Sequence, residues 1–136
     1  MEQTSIFTTS SRKALPVFID DLSQIMQQRG FIITNRESMN LTTTFARHDM
    51  EVDPDFDLHM IQICKPGKAA VSLTKNPLRA ALMPKFIMAF TDQGKTRIQF
   101  LTYGREEIGR LVDDEAFPDS LADTYQTIIG LIEAVC

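Results

Sequence analysis

The sequence of 136 residues contains no tryptophan and only two cysteines, Cys64 and Cys136. Two cysteines are too few for the disulfide framework of a small secreted domain, so we expect free thiols in a reducing compartment. The longest apolar runs, such as residues 128–132, are far shorter than the roughly 20 residues that cross a bilayer. The first residues also lack the basic and then apolar order of a signal peptide. The sequence therefore predicts a cytoplasmic protein with no membrane partner.

Positive charge is also scarce. The chain has 14 Lys and Arg against 18 Asp and Glu, which gives a formal net charge of -4. A protein that binds nucleic acid by releasing counterions needs the opposite sign, so we expect no nucleic-acid partner. The apolar fraction of 43% is normal for a chain that buries a core. Residues 1–136 are therefore predicted to form a single domain.

Apolar residues recur with helical spacing in two long segments. The first starts near Pro16, which suits a first helical turn, and ends at Gly30, which supplies a left-handed C-cap. The second lies at about residues 119–135. The two apolar faces consist of Phe18, Leu22, Ile25 and Met26, and of Leu121, Tyr125, Ile128, Ile129 and Ile132. Shorter helices are predicted at 69–76 and 105–114, and a weaker one around Leu41, Phe45 and His48, where three threonines disfavour it.

Strands are predicted at residues 4–10, 31–33 and 56–63, and in a hairpin whose second strand covers 97–101. Its turn is predicted at residues 92–95, because a glycine at position 94 can adopt the positive φ that such a turn requires. The predicted fold class is α+β: a two-layer sandwich of a mainly antiparallel sheet with helices packed on one face. The strand of residues 56–63 is apolar on both faces. Because symmetric dimers are the commonest oligomers, we expect a second copy of the chain to cover its other face.

Several short motifs follow one another in the order and spacing of a known family. They are Arg29-Gly30-Phe31, Ile63-Cys64-Lys65-Pro66, Lys75-Asn76-Pro77, Leu82-Met83-Pro84 and the hairpin at residues 92–96. Over about residues 14–101 the chain resembles the domain of unknown function family 302. The resemblance implies a compact α/β domain that forms homodimers and has no established activity. Lys85 stands where many members carry a second Cys, and Lys65 where Asn is common, so a role that needs two thiols is not expected.

Cys64 is the first candidate for a functional group. It ends a predicted strand and is followed by Lys65 and by the start of a helix near Gly67, so charge and dipole would favour its thiolate. The alternative is that Cys64 packs as a small hydrophobe, as buried cysteines do. This second interpretation is favoured, because neither a second Cys nor an obvious base lies near it in the sequence.

Two other candidate sites are disfavoured by spacing. His59 and Cys64 could share a transition metal, but a separation of five residues places their side chains on opposite faces of a strand. No metal site is therefore predicted. The segment 66–68 contains a Gly-Lys pair, yet it lacks the upstream glycine and the downstream Ser or Thr of a Walker loop. It is interpreted as a turn between a strand and a helix.

Three functional hypotheses remain. The first is a homodimer that binds a small ligand or an unknown cofactor near the end of the strand of residues 56–64. Its predicted ligand-binding residues are Cys64, Lys65, Lys85 and His59, and the two lysines suit an anionic small molecule. The second is a thiol-dependent enzyme that uses Cys64, and the third is a non-catalytic protein-interaction module. The sequence does not give the strand order.

Overall fold

Residues 3–136 are described by a computed structural model of the chain. They form five strands, five α-helices and one 3-10 helix. The strands are β1 (Ser5–Ser11), β2 (Ile32–Ile33), β3 (Leu58–Cys64), β4 (Lys85–Asp92) and β5 (Lys95–Thr102). The α-helices are α1 (Leu15–Gln28), α2 (Leu41–Arg47), α3 (Pro66–Lys75), α4 (Arg105–Leu111) and α5 (Phe117–Val135), and the 3-10 helix is Pro77–Leu82.

The five strands form one antiparallel sheet in the order β1-β5-β4-β3-β2. The central strand β4 places Ile87 opposite Ile61 of β3 and opposite Phe100 of β5. The hairpin between β4 and β5 turns at Gln93 and Gly94, which both have positive φ (51° and 79°). Two such residues in a row give a two-residue turn whose twist matches that of the flanking strands. The predicted α+β fold class with an antiparallel sheet is confirmed.

The core lies between one face of the sheet and the two long helices. The inward side chains of the sheet include Ile61, Ile63, Ile87, Ile98 and Phe100, and each is at most 1% exposed. Helix α1 contributes the predicted Phe18, Leu22 and Met26, and helix α5 contributes the predicted Leu121, Tyr125, Ile128, Ile129 and Ile132. The rings of Phe100 and Tyr125 meet edge to face at 5.8 Å. Helices therefore cover this face, here called the core face, as the periodicity predicted.

The other face of the sheet, here called the open face, carries side chains that alternate with those of the core. Its apolar members are Ile6, Leu58, Met60, Phe86, Met88, Phe90 and Leu101, and all of them are partly or fully exposed. Strand β3 is thus apolar on both faces, as predicted. Its Ile61 and Ile63 are covered by the helices of the same chain, whereas Leu58 and Met60 belong to the open face.

Some boundaries differ from the prediction. Strand β3 begins at Leu58 rather than at Phe56, because residues 53–56 form a turn in which the Phe56 N–H donates to the Asp53 carbonyl at 2.9 Å. Helix α3 begins at Pro66 rather than at Ala69, since a proline in the first turn has no N–H that lacks a partner. The weak helix is present as α2. Asn40 caps it by accepting a hydrogen bond from the Thr43 N–H at 3.1 Å, which offsets the poor propensity of its threonines.

Candidate functional site

A pocket of about 50 Å³ lies where β3 ends, between α3 and α5. Three lysines line it, Lys65, Lys68 and Lys85, and we call it the lysine pocket. Its remaining lining is formed by the apolar side chains of Phe31, Ala69, Met83, Phe117 and Leu121, by the hydroxyl residues Ser72, Ser120 and Thr124, and by Cys64. None of the residues that line it is Asp or Glu. The pocket therefore combines apolar walls with three cationic groups.

The places of the three lysines in α3 and β4 explain how they come to line one pocket. Lys65 is the N-cap residue of α3, directly after the last residue of β3, and Lys68 lies in the first turn of the same helix. Lys85 opens β4 and pairs with Ile63 across the sheet. Residues that pair directly in an antiparallel sheet share a face, so Lys85 points to the core face beside Ile63. A charged side chain is thus placed at an inward position of the sheet.

Lys85 is more buried than Lys68. Its Nζ donates a hydrogen bond to the Met83 carbonyl at 3.0 Å. Burial lowers the pKa of Lys85 to about 8; negative charge on Cys64 opposes this shift, and the charge of Lys68 adds to it. A buried ammonium repels a neighbouring cation and loses its water, so its neutral form becomes accessible near physiological pH.

The other two lysines are held at the mouth of the pocket. The Nζ of Lys68 donates to the Ser120 carbonyl at 3.1 Å and to the hydroxyl of Thr124, which joins α3 to α5. Partial burial lowers the pKa of Lys68, with Asp123 opposing the shift and Lys65 adding to it. The Nζ of Lys65 lies 5.4 Å from the centroid of the Phe31 ring, within range of a cation–π interaction. The geometry is suited to holding a small anion.

The sequence of residues 7–135 matches the family described as "Domain of unknown function DUF302". The chain belongs to the DUF302 family. The match is longer at both ends than the resemblance of residues 14–101, and it includes α4 and α5. No curated protein matches the sequence.

The fold of this DUF302 domain is similar to that of a solved structure. It is the crystal structure of uncharacterized conserved protein DUF302 from Bacillus stearothermophilus, with a TM-score of 0.80 and 18% sequence identity. The similarity covers 96% of this chain and 98% of that chain. At this level of identity, the similarity concerns the fold alone.

Three of the four predicted site residues of the DUF302 domain meet in one place. Cys64, Lys65 and Lys85 all line the lysine pocket. His59 does not line it, because it lies further back along β3 with its side chain on the core face. Its Nδ1 is buried without a hydrogen bond among residues 3–136 and lies 3.8 Å from Asp57 Oδ1. Burial lowers the pKa of His59, and Asp57 opposes that shift.

Sequence reasoning missed Lys68 and the residues of α5. The segment 66–68 is interpreted from the sequence as a turn between a strand and a helix, and this interpretation gives Lys68 no role, although Lys65 and Lys68 are three residues apart and therefore neighbours at the start of a helix. That spacing was the available signal for Lys68. Ser120 and Thr124 gave no such signal, because more than 50 residues separate them from β3 and only the tertiary fold brings them to the pocket.

A buried ion pair fixes the wall of the pocket that α5 provides. The guanidinium of Arg79 donates to Asp114 from Nε at 2.7 Å and from Nη2 at 2.9 Å, and it lies 5.0 Å from the ring centroid of Phe117. Asp114 also accepts a hydrogen bond from the Phe117 N–H at 2.9 Å. The hydrogen bonds from Arg79 and then Asn76 hold the pKa of Asp114 well below its usual range. This network places Phe117 at the start of α5 and against the pocket.

Two further features of this DUF302 domain concern metals and membranes. Among residues 3–136, no three His, Cys, Asp or Glu side chains gather closely enough to hold a metal ion. None of the helices in the same range combines the length and the apolar character that a bilayer crossing requires.

Proposed function

We propose that this DUF302 protein binds a small anion, or the anionic end of a larger ligand, in the lysine pocket. The observation that carries the proposal is that Lys65, Lys68 and Lys85 line one pocket whose lining has no carboxylate. An anion there would offset the free-energy cost of burying the charge of Lys85 and the repulsion between Lys85 and Lys68. A volume of about 50 Å³ favours a small group over a molecule of cofactor size, since pockets for such ligands are several times larger.

Thermal unfolding in matched salts tests the proposal. Sulfate, phosphate, small carboxylates and haem are compared with chloride at equal ionic strength. A ligand at about ten times its Kd should stabilise the fold by about 1.4 kcal/mol, or roughly 4 °C in Tm for a domain of this size. The Lys85→Met variant should lose most of this shift, whereas Lys95→Met, at the exposed end of the β4–β5 hairpin, should keep it. If no anion raises the Tm of the folded wild-type protein, the proposal is wrong.

We further propose that the protein is a homodimer that pairs through the open face. Apolar side chains form rows across this face, and Met88 lies at the centre, in register with Met60 on one side and Gln99 on the other. At the margin, Ile6 is 58% and Leu101 is 48% exposed. Methionine and aromatic residues are enriched in protein interfaces, and an apolar patch of this kind is unfavourable in water.

Light scattering after size exclusion measures the oligomeric state. The wild-type protein should have twice the chain mass of 15.4 kDa. Met88→Arg should shift it to the monomer with an unchanged circular dichroism spectrum, because a cation would be buried in the interface. Val71→Arg, on α3 and outside the open face, is the matched control. A wild-type monomer would instead favour a protein-interaction module whose open face binds a different chain.

A thiol-dependent reaction is the second candidate function, because Cys64 lines the lysine pocket beside Lys85. Cys136 provides an internal comparison: partial burial raises the pKa of its thiol, with Thr9 and Lys13 opposing the shift. If Cys64 is a nucleophile, iodoacetamide should alkylate it at least about tenfold faster than Cys136 at pH 7.5, since the thiolate is the reactive form. Equal and slow alkylation of the two thiols would exclude this candidate.

A further inference from the structure

Lys85 and Lys13 differ in what surrounds their amines. Most of the Lys85 side chain is buried at an inward position of β4, and its Nζ has one hydrogen bond, to the Met83 carbonyl. Within residues 3–136 it pairs with no carboxylate. By contrast, Lys13 forms a 2.8 Å ion pair with Asp21. Lys85 thus lines a pocket and, among the described residues, lacks a counter-ion such as the one that Lys13 has.

An amine in this position is available as a nucleophile. With a pKa of about 8, roughly a quarter of Lys85 is neutral at pH 7.5, compared with about 0.1% of a free lysine. Only the neutral amine has the lone pair that attacks a carbonyl carbon, and buried lysines in enzymes form Schiff bases for this reason.

The two remaining lysines supply an anchor beside this nucleophile. Lys65 and Lys68 line the same pocket, and Lys68 is fixed by its bonds to α5. A carboxylate held by them would place an adjacent carbonyl next to the amine of Lys85. We infer that Lys85 forms a reversible imine with a small 2-oxo acid whose carboxylate is bound by Lys65 and Lys68. This inference rests on the proposed anion site and names the class of ligand that the site takes.

The reaction needs no oxidant or reductant. The nitrogen lone pair of Lys85 attacks the carbonyl carbon, a C–N bond forms, and the π electrons of the carbonyl move to oxygen. A proton passes from nitrogen to that oxygen, which gives a carbinolamine. Loss of water then gives the imine. The thiol of Cys64 could add to the same carbonyl instead, to give a hemithioacetal, but this adduct has no C=N bond and is not trapped by cyanoborohydride.

Reductive trapping identifies the nucleophile. The full-length protein is incubated with glyoxylate and sodium cyanoborohydride at pH 7.5, and modified lysines are located by peptide mass spectrometry. Hydride reduces the imine to a secondary amine, so the adduct becomes permanent. Lys85 should be modified about tenfold faster than Lys95, because its larger neutral fraction outweighs the weaker nucleophilicity of a less basic amine. The rate at Lys85 should rise between pH 7 and 9, and Cys136→Ser, which lies outside the lysine pocket, should leave it unchanged.

Competition by sulfate tests the imine at Lys85 and the proposed anion site separately. Sulfate should slow the modification of Lys85 and leave that of Lys95 unchanged, and Lys85→Arg should abolish the fast phase while retaining sulfate stabilisation. If sulfate stabilises the protein but Lys85 and Lys95 react equally slowly, the imine is refuted and the anion site stands. If sulfate gives no stabilisation and Lys85 is not modified selectively, both are refuted. Fast modification of Lys85 that sulfate does not slow would refute the anchoring role of Lys65 and Lys68.

Discussion

Replacing Lys85 by Met should make the protein more stable at neutral pH. In the folded chain the pKa of Lys85 is about 8, whereas the unfolded chain has the ordinary value of 10.5, because burial removes water from the ammonium. The difference between the two pKa values means that the charged lysine destabilises the folded state by about 3 kcal/mol at a pH where it is protonated in both states. The variant also loses the hydrogen bond to the Met83 carbonyl, which is worth about 1 kcal/mol. We therefore expect a net gain of about 2 kcal/mol.

The same prediction can also be tested through the pH dependence of the free energy of unfolding. Between about pH 8 and 10.5 the unfolded chain binds more protons at Lys85 than the folded chain does. The free energy of unfolding of the wild type therefore rises with pH in this window. Below pH 8 the full cost of the buried charge is present, and above pH 10.5 it is absent. The variant lacks this contribution, so its advantage should be greatest below pH 8 and should shrink as the pH approaches 10.5.

Urea denaturation at pH 7, 8, 9 and 10 measures both the gain in stability and its pH dependence. Circular dichroism follows the unfolding, since the chain has no tryptophan to report by fluorescence. Lys95→Met removes an exposed lysine and is the control for the loss of one positive charge. A Lys85→Met variant that is less stable than the wild type at pH 7 would refute the reasoning. So would a difference between the two proteins that stays constant from pH 7 to 10.

Three further predictions concern other parts of the fold. Arg79→Met should lower the midpoint of urea denaturation, because it removes the two hydrogen bonds that the guanidinium donates to the Asp114 carboxylate; an unchanged midpoint would contradict this. Gln93→Asn should raise the Tm, with a gain of about 0.5–1 kcal/mol, because Asn tolerates the positive φ of the turn better than Gln; an unchanged or lower Tm would argue against strain there. The wild type should lose stability as the pH falls below 6.5, since the folded pKa of His59 lies below that of the unfolded chain. His59→Leu should reduce this loss of stability at low pH. His48→Leu, at an exposed position, is the control. If the stability of all three proteins falls equally with pH, His59 is not the cause.

Local patterns were sufficient to predict most helices and strands. The spacing of Phe18, Leu22 and Met26 gave α1, and Gly30 ended it with a φ of +83°. The alternation in β3 placed Ile61 and Ile63 on the face opposite Leu58 and Met60, but it did not give which of the two faces the helices cover. These predictions succeeded because each depends on a period of 3.6 or 2 that is written into a few consecutive residues. The antiparallel sheet followed from the number and the amphipathic character of the strands.

The strand order and the far wall of the pocket could not be predicted in this way. Strand β1 pairs with β5, so that Phe7 lies opposite Phe100, and nothing in either segment specifies this partner. The apolar spacing predicted α3 only from residue 69, although a helix start near Gly67 was also expected, because Pro66 was interpreted as the residue that breaks the strand and not as the first residue of the helix. It is both, since a proline fits the first helical turn. The contact between Lys68 and α5 depends on how the two helices pack on the sheet, which no local pattern encodes.

Lys85 shows how a departure from such a pattern can indicate a site. Inward positions on β4 continue with Ile87 and Ala89, which are both fully buried, so the alternation would predict an apolar residue at position 85. A lysine there costs stability that Met would not, and the fold gains no ion pair in return. Residues that reduce stability without a structural benefit are concentrated at functional sites. The strongest reason to propose a function for the lysine pocket is therefore the gain in stability that we expect when Lys85 is replaced by Met.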